Sequence, residues 1–183
     1  MFETARLRFE PLDSNHLAGY INLTAQPAVH RYLSRAAEIA ADPAGQAERI
    51  IAVAREQRSK RGYGPFAVFE KGGSHLIGRG GLFWVETLKD VEINYMFDPT
   101  VWGRAYATEA AAEFLNIGFG QHDLQRMVAT TNPANAASAR VLHKIGMTSA
   151  GQKDLGGGRL VDLHEISRET WETLGRRANT RQT

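Results

Sequence analysis

Three groups of residues in this chain have types and spacings that could do chemistry. The first is the entry of a helix in VWGRAYATEAAAEFL (101–115). Helices usually open on Ser, Thr, Asp or Asn, whose side chains cap the first turn; here the entry reads Trp102, Gly103, Arg104, Ala105. The first four N–H groups of a helix lack internal partners and together carry about half a positive charge. Gly103 removes the side chain where an incoming group would touch main chain. Arg104 adds a formal charge, and Ala105 and Ala107 leave the approach open. The set describes a pocket for a phosphate or pyrophosphate, and it equally fits a helix start that happens to contain glycine. Neither GxxxxGK[ST] nor GxGxxG occurs, so a phosphate-bearing group other than a P-loop nucleotide or a Rossmann dinucleotide is required.

The second group is the strand-like run VEINYMFD (91–98) just before it. Alternation puts Glu92, Asn94 and Met96 on one face and Ile93, Tyr95 and Phe97 on the other. Glu92 is therefore a carboxylate in an otherwise apolar strand, and a buried carboxylate needs a partner or a raised pKa. The third is NAASARVLHKIG (135–146), a helix ended by Gly146, on which Ser138 shares an inward face with Val141, Leu142 and Ile145.

The chain's bulk properties narrow the classes of function. Its 183 residues suit one domain with a proper core. An apolar content of 43% with 23% charged residues is that of a soluble globular protein, and no apolar run approaches a membrane span. The start MFETARLRFEPL has no secretory signal core, which leaves the cytoplasm as the expected compartment. Arg176, Arg177 and Arg181 supply three of the 22 basic residues against 20 acidic ones, so without them the chain is slightly acidic. The expected division is a domain over 1–175 and a flexible basic tail over 176–183, with no nucleic-acid footprint on the domain. The absence of cysteine removes any thiol nucleophile or thiolate metal site, and the six histidines show no metal-binding spacing. No metal is expected. His164 is a weak candidate for facing a substrate; Trp84, Trp102 and Trp171 read as packing residues.

The elements that must position these groups follow from periodicity and punctuation. A strand over 4–12 ends at Pro11 and the cluster Asp13-Ser14-Asn15, which opens a short helix. A second short helix follows Pro27, and a longer one runs from Pro43 to about Lys60. Strands are predicted at 64–70, 75–85 and 91–98, then the helix 106–120, a strand at 125–131, the helix 135–146, and strands at about 147–154 and 159–167. Ala107, Ala110, Ala111, Phe114 and Gly118 make a buried stripe on the central helix, leaving Glu109 and Glu113 outward. Gly78, Gly80 and Gly81 point to a bulge or a close backbone approach. The order implies a mixed sheet with helices on its faces, an α/β arrangement.

The block 91–147, with its WGRAYATEA context, resembles the cofactor-binding core of the GNAT N-acetyltransferases, and specifically the RimJ/RimL-like branch named for ribosomal-protein acetylation. The resemblance is looser over the rest, including a closing strand with Trp171. It implies a mostly antiparallel sheet of about seven strands, splayed between the fourth and fifth. It further implies acetyl-CoA as acetyl donor, with the pyrophosphate on the loop whose R/Q-x-x-G-x-G/A pattern reads here Thr100-Val-Trp-Gly103-Arg-Ala105; Thr100 departs from the first position. The implied cofactor-binding set is Met96, Phe97 and Asp98, through their main chain, with Trp102, Gly103, Arg104, Ala105, Tyr106, Ala107, Thr108, Asn135 and Ser138. Free amides of the strand would polarise the thioester carbonyl.

Within that frame Glu92 can accept the proton of an amine nucleophile, or it can be a structural or substrate-binding carboxylate paired with an arginine. Ser138 can protonate the departing thiolate, or bond only its own backbone. The expected activity is acetyl transfer to a primary amine by direct attack in a ternary complex. The acceptor is a protein N-terminus or a small molecule, held between the helices over 13–60 and the loop 154–159, in a monomer or homodimer. The rival readings are a non-catalytic acyl-CoA-binding module and, last, a nucleic-acid binder using the tail.

Overall fold

The computed structural model describes residues 1–180 except Ser34 and Gly157, and for 176–180 the backbone alone. The chain opens with β1 (Phe2–Glu3) and β2 (Leu7–Pro11), shorter than the single strand expected over 4–12. A 3-10 turn (Ser14–His16) leads into α1 (Leu17–Thr24), α2 (Pro27–His30), α3 (Ala36–Ala41) and α4 (Pro43–Arg61). α4 starts where the sequence places it, because Pro43 fits a first turn and Asp42 Oδ1 accepts the Gly45 N–H at 2.9 Å. Then come β3 (Pro65–Glu70), β4 (Leu76–Val85) and β5 (Asp90–Phe97), followed by α5 (Tyr106–Asn116). α5 gives way to a π-helical turn at Ile117–Gln121, so the α-helix is shorter than the 106–120 expected. β6 (Arg126–Thr131), α6 (Ala136–Lys144), β7 (Thr148–Asp154), β8 (Leu160–Ser167) and α7 (Arg168–Thr180) complete the order.

The eight strands form one sheet in the order β1-β2-β3-β4-β5-β6-β8-β7. All neighbours are antiparallel except β5 and β6, which run parallel and meet at a single register pair, Glu92↔Val128. From that point the two strands diverge. The splay falls between the strands that the sequence counts as fourth and fifth; two-residue β1 raises the total from seven to eight. No helix among the described residues is long and apolar enough to cross a membrane.

Two apolar cores lie on opposite faces of this sheet, which is why β5 alternates as it does. Ile93 and Phe97 join Ala110, Ala111, Phe114 and Leu142 on the α5–α6 side. Met96 joins Leu23, Ala47, Ile51 and Ala54 on the α1–α4 side. Gly80 accounts for the depth at which α5 sits: a Cβ there would lie 2.6 Å from the Phe114 ring. The strand thus carries no side chain where the ring of a fully buried Phe114 rests on it.

One expectation fails near the end of the chain. Trp171 is on α7, not on a closing strand, and packs on Phe119 with ring centroids 5.3 Å apart. The proposed boundary between 175 and 176 falls inside α7, whose helical backbone runs to Thr180; residues 181–183 lie outside the described residues.

Candidate functional site

The mouth of α5 has the character its residues imply. Ala105 stands at the cap position with no side-chain hydrogen bond to the first turn. No hydrogen bond among the described residues uses the amides of Gly103–Thr108. Gly103 has φ +78, and a Cβ on it would meet nothing within 4 Å, so the main chain is bare on its open side. Ala105 has φ +61, a left-handed conformation that costs a non-glycine residue roughly 1–2 kcal/mol. A twist of this kind can turn consecutive amides to one side, the geometry that suits an anion.

The mouth of α5 is tied down by residues far away in sequence. Glu109, expected to face outward, instead accepts from Thr4 Oγ1 (2.6 Å), the Arg6 N–H (2.9 Å) and Arg6 Nε (2.7 Å). Burial alone would raise the Glu109 carboxyl; these bonds and the Arg6 charge bring it below its ordinary value. Arg6 Nη1 also donates to the Arg104 carbonyl at 2.9 Å. The Arg104 guanidinium pairs with Glu70 at 2.8 Å, and Tyr106 donates to the same Glu70 oxygen at 2.6 Å. The formal charge expected of Arg104 beside the amides is therefore answered by Glu70.

From this mouth a groove of about 600 Å³ runs along the splay. Met96, Phe97, Trp102, Gly103, Ala105, Tyr106, Ala107 and Thr108 line it, and so do Asn135 and Ser138 from the opposite bank. Asp98 does not line it. Its carboxylate caps the following turn, accepting from the Thr100 N–H and hydroxyl and from Gln26 Nε2. Burial would raise that carboxyl, and the bonds from Thr100 and Gln26 reverse the sign and lower it.

The register of β4 and β5 decides which amides of β5 are free. Asp98 donates its N–H to the Ile77 carbonyl at 2.8 Å, with Phe97 opposite Gly78 and Met96 opposite Arg79. The alternation of an antiparallel ladder then turns the N–H of Met96 toward β4 and those of Tyr95 and Phe97 into the splay. The expected main-chain contacts of Met96 and Asp98 are corrected accordingly. The Phe97 carbonyl accepts from Trp102 Nε1 at 2.8 Å, leaving its N–H as the available group. Trp102 is not buried packing: its indole is 53% exposed at the groove rim.

Ser138 is half-buried, and its Oγ lies 3.0 Å from the Tyr95 hydroxyl, which also reaches the Ser138 carbonyl at 3.2 Å. The alternative of a hydroxyl bonded only to its own helix is not what is found. Burial pushes the Tyr95 phenol up to about 12. Asn135 Oδ1 accepts the Ser138 N–H, capping α6, and its amide nitrogen makes no hydrogen bond among the described residues.

A second cavity of about 480 Å³ opens on the other face of β5, between it and the helices α1, α3 and α4. Helices within 13–60 frame it, and the described residues of 154–159 contribute no wall. Glu92 lines it, 9% exposed. Thr130 donates to Glu92 Oε1 through both its hydroxyl and its N–H, the latter at 3.2 Å. Burial is the largest influence and raises the Glu92 carboxyl, against the hydrogen bonds of Thr130 and the charge of Arg79. No arginine is within ion-pair distance of Glu92 among the described residues, and Arg79 and Arg159 act on it through their charge alone. Asn94, Met96 and Leu33 line both cavities, so the two meet beside β5.

A family model described as an acetyltransferase (GNAT) domain matches residues 6–148. The chain belongs to the GNAT acetyltransferase family. The uncharacterized protein YkkB of Bacillus subtilis is 38% identical over 95 residues, covering 50% of this chain and 55% of that protein. This GNAT chain thus spans about half the length of that curated relative. Among solved structures, the ribosomal-protein-S5-alanine acetyltransferase of Vibrio fischeri superposes with a TM-score of 0.75 at 18% identity, covering 93% of this chain and 97% of that one. RimL, a ribosomal L7/L12 alpha-N-protein acetyltransferase solved with coenzyme A, gives 0.74 at 16% identity over 90% and 95%. The GNAT fold is thereby established.

Several residues at the site carry no signal in sequence. Tyr95 reads as an inward aromatic of β5, and its partner lies 43 positions away. Arg31 and Lys144, which bring charge to the groove, are surface cations on separate helical segments. His164 does not face the second cavity; it is 3% exposed, near the Thr131 hydroxyl (3.3 Å) and edge-on to His143. Burial and the neighbouring His143 lower its pKa.

Proposed function

We propose that this protein moves the acetyl group of acetyl-CoA to a primary amine by direct attack within a ternary complex. The reading is supported above all by one arrangement: a groove with a bare-amide anion cradle at one end, opening at Asn94 and Met96 onto a separate cavity that holds a buried carboxylate. Coenzyme A fits the residues present. The amides of Gly103–Thr108 suit its pyrophosphate, and the free N–H groups of Tyr95 and Phe97 suit an amide-bearing arm laid along a strand edge.

The amine reaches its acceptor cavity largely as an ammonium. Its nitrogen attacks the thioester carbonyl, a C–N bond forms, and the C–S bond breaks. Of the two protons it sheds, one is taken by Glu92 and the other ends on the departing sulfur. Tyr95, protonated across the neutral range and linked to Ser138, is the groove-wall hydroxyl assigned to that donation. With no cysteine in the chain, no thiol carries the acetyl group between two half-reactions.

The test is calorimetry of acetyl-CoA binding to wild type and Gly103→Trp, with thiol release measured over a panel of amines and N-terminal peptides. Micromolar-range binding lost at least about tenfold in the variant, with turnover on an amine, is expected. Unchanged affinity in folded Gly103→Trp would remove the cradle from the site.

A further inference from the structure

Arg79 on β4 lies opposite Met96 and projects to the same face as Asn94 and Glu92, into the wall of the second cavity. It is 6% exposed. Its Nη1 donates to Asn94 Oδ1 at 2.7 Å, its Nε is buried without a partner, and Nη2 makes no hydrogen bond among the described residues. No carboxylate is within ion-pair distance of it among these residues. The rings of Phe83 and Tyr20, 5.2 Å and 5.9 Å from the guanidinium carbon, flank it.

A buried cation that lacks both a counter-ion and part of its hydrogen bonding is costly to the fold and is retained where something else completes it. The acids facing this cavity do not. Glu92 is engaged by Thr130 and shifted toward its neutral form by burial. Glu86 accepts from Trp84 Nε1 at 2.8 Å, near the rim. The other cation there, Arg35, is already bonded to Glu38 at 2.7 Å. One guanidinium fork is therefore open, and its planar donors match a carboxylate. Ile39, Ile50, Val53 and Phe83 give the cavity an apolar wall, beside the uncharged polar side chains of Thr24, Gln46, Gln57 and Thr87, and the volume is that of a small-molecule site.

Resting on the acetyl transfer proposed above, we propose that the acceptor is a small amine that itself bears a carboxylate, an apolar α-amino acid in class, with Arg79 receiving the carboxylate. The amine then lies toward Asn94 and Met96, where the cavities meet, and Glu92, two positions along the same face, takes its proton. A peptide N-terminus offers Arg79 only a neutral carbonyl and leaves its charge unanswered.

The experiment is thiol release by the full chain with acetyl-CoA and L-leucine, L-methionine, L-phenylalanine or L-tryptophan. Each is compared with its own C-terminal amide and with a hexapeptide beginning with the same residue. At least one acid is expected to exceed its amide and peptide about tenfold or more in kcat/KM, the loss typical of a missing charge-assisted contact. Arg79→Gln should reduce that preference to within about threefold, Arg79→Lys should keep part of it, and acetyl-CoA affinity by calorimetry should not move in either. Amides or peptides used as well as acids, a preference that survives in Arg79→Gln, or cofactor-binding protein that acetylates none of the acids would each overturn the assignment of Arg79 while leaving the cofactor site intact. Failure of wild type to bind acetyl-CoA would instead overturn the proposed function beneath it.

Discussion

The hydroxyls of Tyr95 on β5 and Ser138 on α6 stand 3.0 Å apart, joining the two banks of the groove where the sheet splays. The phenol is held in its protonated form by burial and kept close to the serine, on the face opposite Glu92. A buried carboxyl and a buried phenol thus occupy the two faces of one strand.

Tyr95→Phe is expected to lower kcat by about 10²-fold, the scale of a positioned general acid, with little change in the KM for acetyl-CoA. Ser138→Ala should cost less, because the Tyr95 hydroxyl keeps the Ser138 carbonyl within 3.2 Å. Steady-state kinetics on both variants decides this; full kcat in Tyr95→Phe would leave the sulfur to depart unaided.

Glu92 makes a pH prediction for both rate and stability. Burial raises its carboxyl, so kcat/KM should climb with pH through a value above the usual carboxylate range, and Glu92→Gln should lack that limb. Between the unfolded value, about 4.3, and the raised folded one, the native state binds more protons than the unfolded. Its contribution to stability is therefore full below that window and is lost as pH rises through it. Glu92→Gln, unable to ionise, is expected to melt no lower than wild type at pH 8, and a clear drop in a thermal scan there would contradict the assigned burial cost.

Ala105→Gly should stabilise the protein slightly. Relief of a left-handed alanine is worth about 1–2 kcal/mol, against roughly 0.5–1 kcal/mol for the extra freedom of glycine in the unfolded chain. Urea denaturation should give a gain of about 0.5 kcal/mol, and a loss of that size would mean the +61° torsion is not strained.

Glu109→Ala removes the acceptor that fastens Thr4 and Arg6 to the first turn of α5. A destabilisation of about 1–2 kcal/mol is expected for these partly buried bonds. A several-fold weaker affinity for acetyl-CoA should accompany it, since the cradle loses its anchor. Affinity unchanged in the variant would show that the mouth of α5 holds its shape without the N-terminal segment.

How much of this was legible before folding depends on distance along the chain. The bare helix mouth reads directly from Trp102-Gly103-Arg104-Ala105, because capping and helical spacing are local properties. The apolar alternation of β5 put Glu92 and Tyr95 on opposite faces for the same reason, and Pro43 with Asp42 located α4. The sequence by itself therefore determined most of the elements, the uncapped mouth of α5 and the lone carboxylate of β5.

Tertiary structure decided the rest. Which β5 amides are free follows from the pairing of Phe97 with Gly78, a register that no local pattern encodes. Tyr95 meets Ser138 across 43 residues, and Glu109 meets Arg6 across 103, so neither bond has a spacing to be read. Arg79 looks like any polar residue between two glycines until packing buries it without a carboxylate beside it. Hydrogen bonding and desolvation act over a few ångströms in space, and only the folded chain fixes which residues stand that close.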